Sequence, residues 1–101
     1  MINYKNNKPF IEGVSIEDIA KSYVTPFYLY SQSKIEETYK KLANSLGTEI
    51  FYAIKANSNQ AIIKLMASLG AGADVVSVGE LERAIEADVN PKKIIFEGIG
   101  K

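Results

Sequence analysis

The sequence contains no cysteine, no histidine and no tryptophan in 101 residues. Without cysteine no disulfide framework can form, and without cysteine or histidine no zinc scaffold of the usual kind can be built. An excess of one charge is also missing. Twelve basic residues balance twelve acidic ones, which argues against a nucleic-acid-binding or polybasic membrane surface. No apolar run approaches the ~18 residues of a transmembrane helix. The N-terminal stretch MINYKNNKPF is polar and lacks the apolar core of a signal peptide. With no thiol to report on redox state, the cytoplasm is the expected location. What remains is 47% hydrophobic and 24% charged, the make-up of a folded globular protein rather than a disordered chain. The length allows one small domain, burying somewhat under ~70% of its unfolded surface.

No internal repeat or low-complexity linker interrupts the chain; helical and strand patterns alternate instead. Ile16, Ile19, Ala20 and Tyr23 follow Ser15 at helical spacing, and Asp18 completes a capping box. Thr25-Pro26 ends that helix, and Phe27 to Tyr30 reads as a short aromatic strand. Ser33 to Leu46 is the clearest helix. Ile35, Tyr39, Leu42 and Leu46 form its apolar stripe, Ser33 and Glu36 a capping box, and Gly47 stands at the C′ position. Glu49 to Lys55 is a nearly continuous apolar run, as in strands buried on both faces. A helix from Asn59 to Leu69 closes at Gly70. A strand follows at Ala73 to Val76, then a helix at Gly79 to Asp88, a turn at Asn90-Pro91 and a strand at Ile94 to Phe96. This order implies βαβ units and a parallel sheet. Such a sheet can be completed as an open layer with helices on both faces, or as a (β/α)₈ barrel with about five more units.

Ligands of parallel α/β folds sit at the C-terminal ends of the strands. There the sequence offers Lys55, Asp74 and the Ser77–Glu80 pair. A lysine leaving an apolar strand can lose hydration, which frees its amine to attack a carbonyl and form a Schiff base. On the local pattern alone, a lysine snorkelling to solvent is the default. Asp74 interrupts an apolar strand; it either pairs with Lys55 across neighbouring strands or starts its strand facing water. Ser77 and Glu80 are explained by helix capping. Gly98-Ile99-Gly100 is too short to be a dinucleotide fingerprint, and no P-loop is present. The aromatic residues around Pro26 suit a core or an interface better than a base-stacking platform, since no basic surface accompanies them.

Four segments together carry a more specific signal: Thr25-Pro26-Phe27-Tyr28-Leu29-Tyr30, Tyr52-Ala53-Ile54-Lys55-Ala56-Asn57, Gly72 to Leu81 (GADVVSVGEL) and Ile94 to Lys101 (IIFEGIGK). In this order the chain resembles the fold-type III pyridoxal-phosphate-dependent decarboxylases over residues 25–101. The likeness is greatest to the branch acting on meso-2,6-diaminopimelate, which implies release of carbon dioxide and formation of L-lysine, the last step of bacterial lysine synthesis. The resemblance implies pyridoxal 5′-phosphate as cofactor and Lys55 as the Schiff-base lysine. It implies Asp74 as an acidic residue near lysine and cofactor, and Ala53 as a small residue beside the ring. Glu80 would be an acidic position of the active site, with capping as its rival role. No metal is implied.

The resemblance also implies an architecture. Residues 1–30 would be an N-terminal arm that joins a C-terminal β-domain. Residues 31–101 would be the first three βα steps of a partial (β/α)₈ TIM barrel, truncated after its third strand. The partners would be a small amino-acid substrate and a second copy in a homodimer, with no nucleic acid and no membrane. The ring-stacking histidine, the glycine-rich phosphate loops and the β-domain of that family have no counterpart in this sequence. These 101 residues alone are therefore expected to be inactive and poorly folded, with apolar strand faces and a sheet edge uncovered. Other branches, acting on ornithine, arginine or carboxynorspermidine or racemising amino acids, compete with this reading. So does a small free-standing α/β binding module with Lys55 as a phosphate contact.

Overall fold

The computed structural model describes residues 1–99, in two compact units, Met1–Thr38 and from Tyr39 onward. The first unit opens with a three-stranded antiparallel sheet absent from the sequence-based expectation. Strands β1 (Ile2–Lys5) and β2 (Lys8–Ile11) pair with Lys5 opposite Lys8. Between them Asn6 and Asn7 both take positive φ, 52° and 62°, the two-residue turn that matches strand twist. Glu12 and Gly13 repeat the device at φ 50° and 77° and lead into β3 (Val14–Ser15). Helix α1 (Ile16–Ser22) starts as expected, with the Ser15 hydroxyl accepting the Asp18 N–H.

Two expectations fail in this unit. Phe27 to Tyr30 is not a strand. Aromatic residues favour a pleated surface only where a neighbouring strand supplies hydrogen bonds. Here rings meet rings instead, Tyr23 edge-on to Phe27 at 6.3 Å and Tyr28 stacked near Tyr30 at 6.4 Å. Helix α2 (Gln32–Leu46) is capped by Ser31 rather than Ser33. The Ser31 hydroxyl accepts the Lys34 N–H at 3.2 Å, whereas the Ser33 N–H is taken by Glu12 Oε1 at 3.0 Å. Ser33 already lies inside the first turn, and Glu36 accepts from the Gln32 amide instead. Hydrogen bonds from Ser33, first through its side chain and then through its backbone, lower the pKa of the Glu12 carboxyl below the usual glutamate value. At the far end Gly47 is the expected C′ residue, at φ 62° with its N–H on the Ala43 carbonyl.

The second unit is a parallel sheet in the order β4 (Phe51–Ala53), β5 (Gly72–Val75), β6 (Ile94–Phe96). Helices α3 (Gln60–Ser68) and α4 (Val78–Glu86) make the crossovers. Each helix begins on a side-chain cap, Asn59 to the Ala61 N–H and Ser77 to the Glu80 N–H. Register sets Tyr52 beside Ala73 and Ala73 beside Ile94. These residues, with Ile54 and Val75, pack against Ile63 and Ala67 of α3 and Leu81 and Ala84 of α4. Ile54, Ile63 and Val75 are fully buried, each stabilising the unit by about 1.5–3 kcal/mol.

Side chains alternate across a strand. The other sheet face therefore carries Phe51 beside Gly72, and Ala53 beside Asp74 beside Ile95. The packed helix residues all meet the first face, so the expected cover on both faces is replaced by cover on one among the described residues. The strand expected over Glu49 to Lys55 is also shorter. Its ladder ends where Ala53 meets Asp74, and Ile54–Ala56 closes into a 3-10 turn by a bond from the Asn57 N–H to the Ile54 carbonyl. None of the described helices is long and apolar enough to cross a membrane.

Candidate functional site

Lys55 lies in the middle of that 3-10 turn, exposed at the C-terminal edge of the parallel sheet. Its neighbours fix the turn from both ends. Ile54, at 0% exposure, anchors the start in the core. The Tyr52 hydroxyl donates to the Asn57 carbonyl at 2.8 Å, and Asn57 Oδ1 accepts the Asn59 N–H at 3.0 Å. From α4, Arg83 Nη1 donates to the Ser58 carbonyl at 3.1 Å, and the Gln60 amide donates back to the Arg83 carbonyl at 2.9 Å. The lysine stem is free while its backbone is held.

Asp74 and Ala53 are register neighbours on the helix-free face. Asp74 Oδ1 is buried with no hydrogen-bond partner, as is Gln60 Oε1. A buried acceptor of this kind normally finds a donor. The alternative in which Asp74 starts its strand does not hold, since Gly72 and Ala73 precede it in β5. Nor do Lys55 and Asp74 form an ion pair, although the sequence left that pairing open; the ion pairs of the described residues lie elsewhere. Glu80 Oε1 accepts the Val76 N–H at 3.0 Å, while its own N–H is held by Ser77. Its carboxylate is thus engaged in the loop between β5 and α4, a capping box reaching one residue further back than usual.

These residues fit an aldehyde cofactor on three counts. An exposed primary amine stands at the strand ends. Small side chains, Ala53 and Gly72, line the face beside it, and Asp74 presents an orphaned acceptor there. Among the described residues no cluster of three or more acidic side chains is placed to hold a metal ion. Gly98 follows β6 at φ 127°, but the Gly100-Lys101 end of the IIFEGIGK segment lies outside the described residues. An apolar concavity of about 490 Å³, lined by Ile19, Tyr23 and Phe27 among others, belongs to the first unit.

The sequence reading missed the clamp on the lysine turn. Tyr52 sat in an apolar run and counted as a strand aromatic. The available signal was chemical, because a part-buried phenol needs a partner for its hydroxyl. Arg83 and Gln60 lie more than twenty residues apart and met only through the fold.

Residues 32–101 match the family described as pyridoxal-dependent decarboxylase, pyridoxal binding domain. Over 98% of its length the chain is 42% identical to a diaminopimelate decarboxylase of Pseudomonas aeruginosa, of which it covers 25%. A crystal structure of a protein from Aquifex aeolicus superposes with a TM-score of 0.93 at 42% identity, over 99% of this chain and 25% of that one. A lysine decarboxylase structure from Selenomonas ruminantium superposes with a TM-score of 0.79 at 36% identity, over 86% of this chain and 23% of that one. The chain thus spans about a quarter of the length of the curated relatives it matches.

Proposed function

The chain belongs to the pyridoxal-dependent decarboxylases, through their pyridoxal-binding domain, and from that premise we propose that it forms the N-terminal part of an enzyme converting meso-2,6-diaminopimelate to L-lysine and carbon dioxide. The observation that carries the reading is the site itself: an exposed Lys55 on a clamped turn at the edge of a face that holds Ala53 and the unpartnered Asp74. The 42% identity to a diaminopimelate decarboxylase favours that substrate. The likeness to a lysine decarboxylase makes another diamino acid the second reading.

Lys55 would hold pyridoxal 5′-phosphate through its Nζ. When bound, the cofactor supplies an electron sink for the pair left behind as the carboxylate departs. Asp74 would offer its free oxygen as acceptor beside the lysine and the ring, and Ala53 would leave room for the ring. Glu80 would act through the loop it caps, holding the end of β5 in place. The one-sided helix cover and the strand order β4-β5-β6 agree with the first steps of a (β/α)₈ barrel. We place residues 1–30 as an arm toward a β-domain, residues 31–101 as the beginning of the barrel, and the active enzyme as a cytoplasmic homodimer.

The test is an assembled enzyme in which residues 1–101 replace the matching quarter of the Pseudomonas aeruginosa relative. Carbon dioxide release is measured with meso-2,6-diaminopimelate, L-lysine and L-ornithine in parallel. Turnover of the first, lost on Lys55→Ala, is the expected result. A soluble, folded assembly that binds pyridoxal phosphate but decarboxylates none of them would contradict it. Preference for L-lysine would select the second reading.

A further inference from the structure

A short 3-10 turn is weak by itself, since its hydrogen bonds have poor geometry. The turn at Ile54–Ala56 is three residues long and ends on a 3.1 Å bond from the Asn57 N–H to the Ile54 carbonyl. The exposed stem of Lys55 adds no constraint. The place of its amine therefore depends on whatever holds Asn57 and Ser58, the residues leading out of the turn. Side chains from different elements reach both of them. The Tyr52 phenol, on β4, donates to the Asn57 carbonyl at 2.8 Å. The Arg83 guanidinium, on α4, donates to the Ser58 carbonyl at 3.1 Å.

Both donors bind adjacent carbonyls, and both are themselves fixed. Tyr52 packs against the core. The Arg83 backbone carbonyl is held by Gln60 at the start of α3. The turn is thus tied to its own strand and to the following βα step together.

We propose that Tyr52 and Arg83 are positioning residues that set where the Lys55 amine stands, resting on the reading of Lys55 as the amine that holds the cofactor. A displacement of about 1 Å at a reacting group can cost up to about a hundredfold in rate, and partial loss of the clamp is expected to cost about tenfold.

The experiment uses the assembled enzyme and its Tyr52→Phe and Arg83→Met variants. Apoenzyme is mixed with pyridoxal phosphate, quenched with borohydride at intervals, and the reduced peptide is mapped. The expected result is attachment at Lys55 slowed about tenfold in each variant, with kcat lowered about tenfold. KM and the unfolding temperature would stay near those of the parent. Attachment and kcat at the parent rate in both variants would overturn the inference. So would a lower unfolding temperature with an unchanged attachment rate per folded molecule, which is what a purely structural role predicts. Label on another residue in the parent protein would overturn the assignment of Lys55 itself, so the two failures are told apart.

Discussion

Phe51 and Gly72 are register partners across β4 and β5, and the phenyl ring fills the volume that a side chain at position 72 would need. A Cβ placed there would meet the ring at 2.6 Å and the Lys93 carbonyl at 2.5 Å. The glycine lets β4, which leads into the lysine turn, and β5 share this face.

Gly72→Ala is expected to destabilise the assembled enzyme by about 1–3 kcal/mol, as overpacking does. Adding Phe51→Ala should recover only part of that loss, because the Lys93 carbonyl is backbone and cannot swing away. Thermal unfolding of the single and double variants checks this. Full recovery would mean that the ring alone makes the conflict.

Asp74 offers a different test, since one of its oxygens is buried without a partner. Removing an unsatisfied acceptor relieves a desolvation cost of about 1–3 kcal/mol. Asp74→Ala apoenzyme should therefore be no less stable than the parent in denaturant unfolding, yet should retain pyridoxal phosphate about tenfold less well. An apoenzyme clearly destabilised by the change would show that Asp74 is satisfied within the apo fold.

The role of Glu80 separates by substitution. Its carboxylate accepts the Val76 N–H at 3.0 Å. Glu80→Gln retains an acceptor and should leave stability nearly unchanged, while Glu80→Ala should cost about 0.5–2 kcal/mol, the range for loss of a cap. Equal stability of the two variants in thermal unfolding would argue against the capping role.

Glu12 should confer a pH dependence on the first unit. Its native pKa is lowered by the hydrogen bonds from Ser33. A lowered native pKa stabilises the fold above the unfolded value, about 4.3 for glutamate, and the stabilisation fades as pH falls through the native value. Denaturant unfolding followed from pH 7 to about pH 3 should show a decline that is shallower in Glu12→Gln. Matching profiles for the two proteins would mean that Glu12 does not set this pH dependence.

The legible part of this fold followed from periodicity and punctuation. The βαβ order, the Gly47 stop and the Ser77 and Asn59 starts are local signals. The 3-10 turn was not legible, because Ile54 is as apolar as a strand residue and only its partner bonds show that the ladder has ended. The N-terminal hairpin shows no clear pattern because its strands are four residues long and bury no side chain fully. Its signals, Asn6-Asn7 and Glu12-Gly13, lie in the turns alone. At the site, the resemblance put forward Lys55, Ala53 and Asp74. The one-sided packing of the helices placed Ala53 and Asp74 on one face, a long-range outcome that no local pattern carries.

Lys55 as the amine that holds the cofactor is put to the test by peptide mapping of the assembled enzyme after borohydride reduction. One pyridoxyl label per chain is expected, on the Lys55 peptide, and none on the Lys55→Ala protein. Undiminished labelling of the Lys55→Ala protein, or a label on another lysine of the parent, would contradict it.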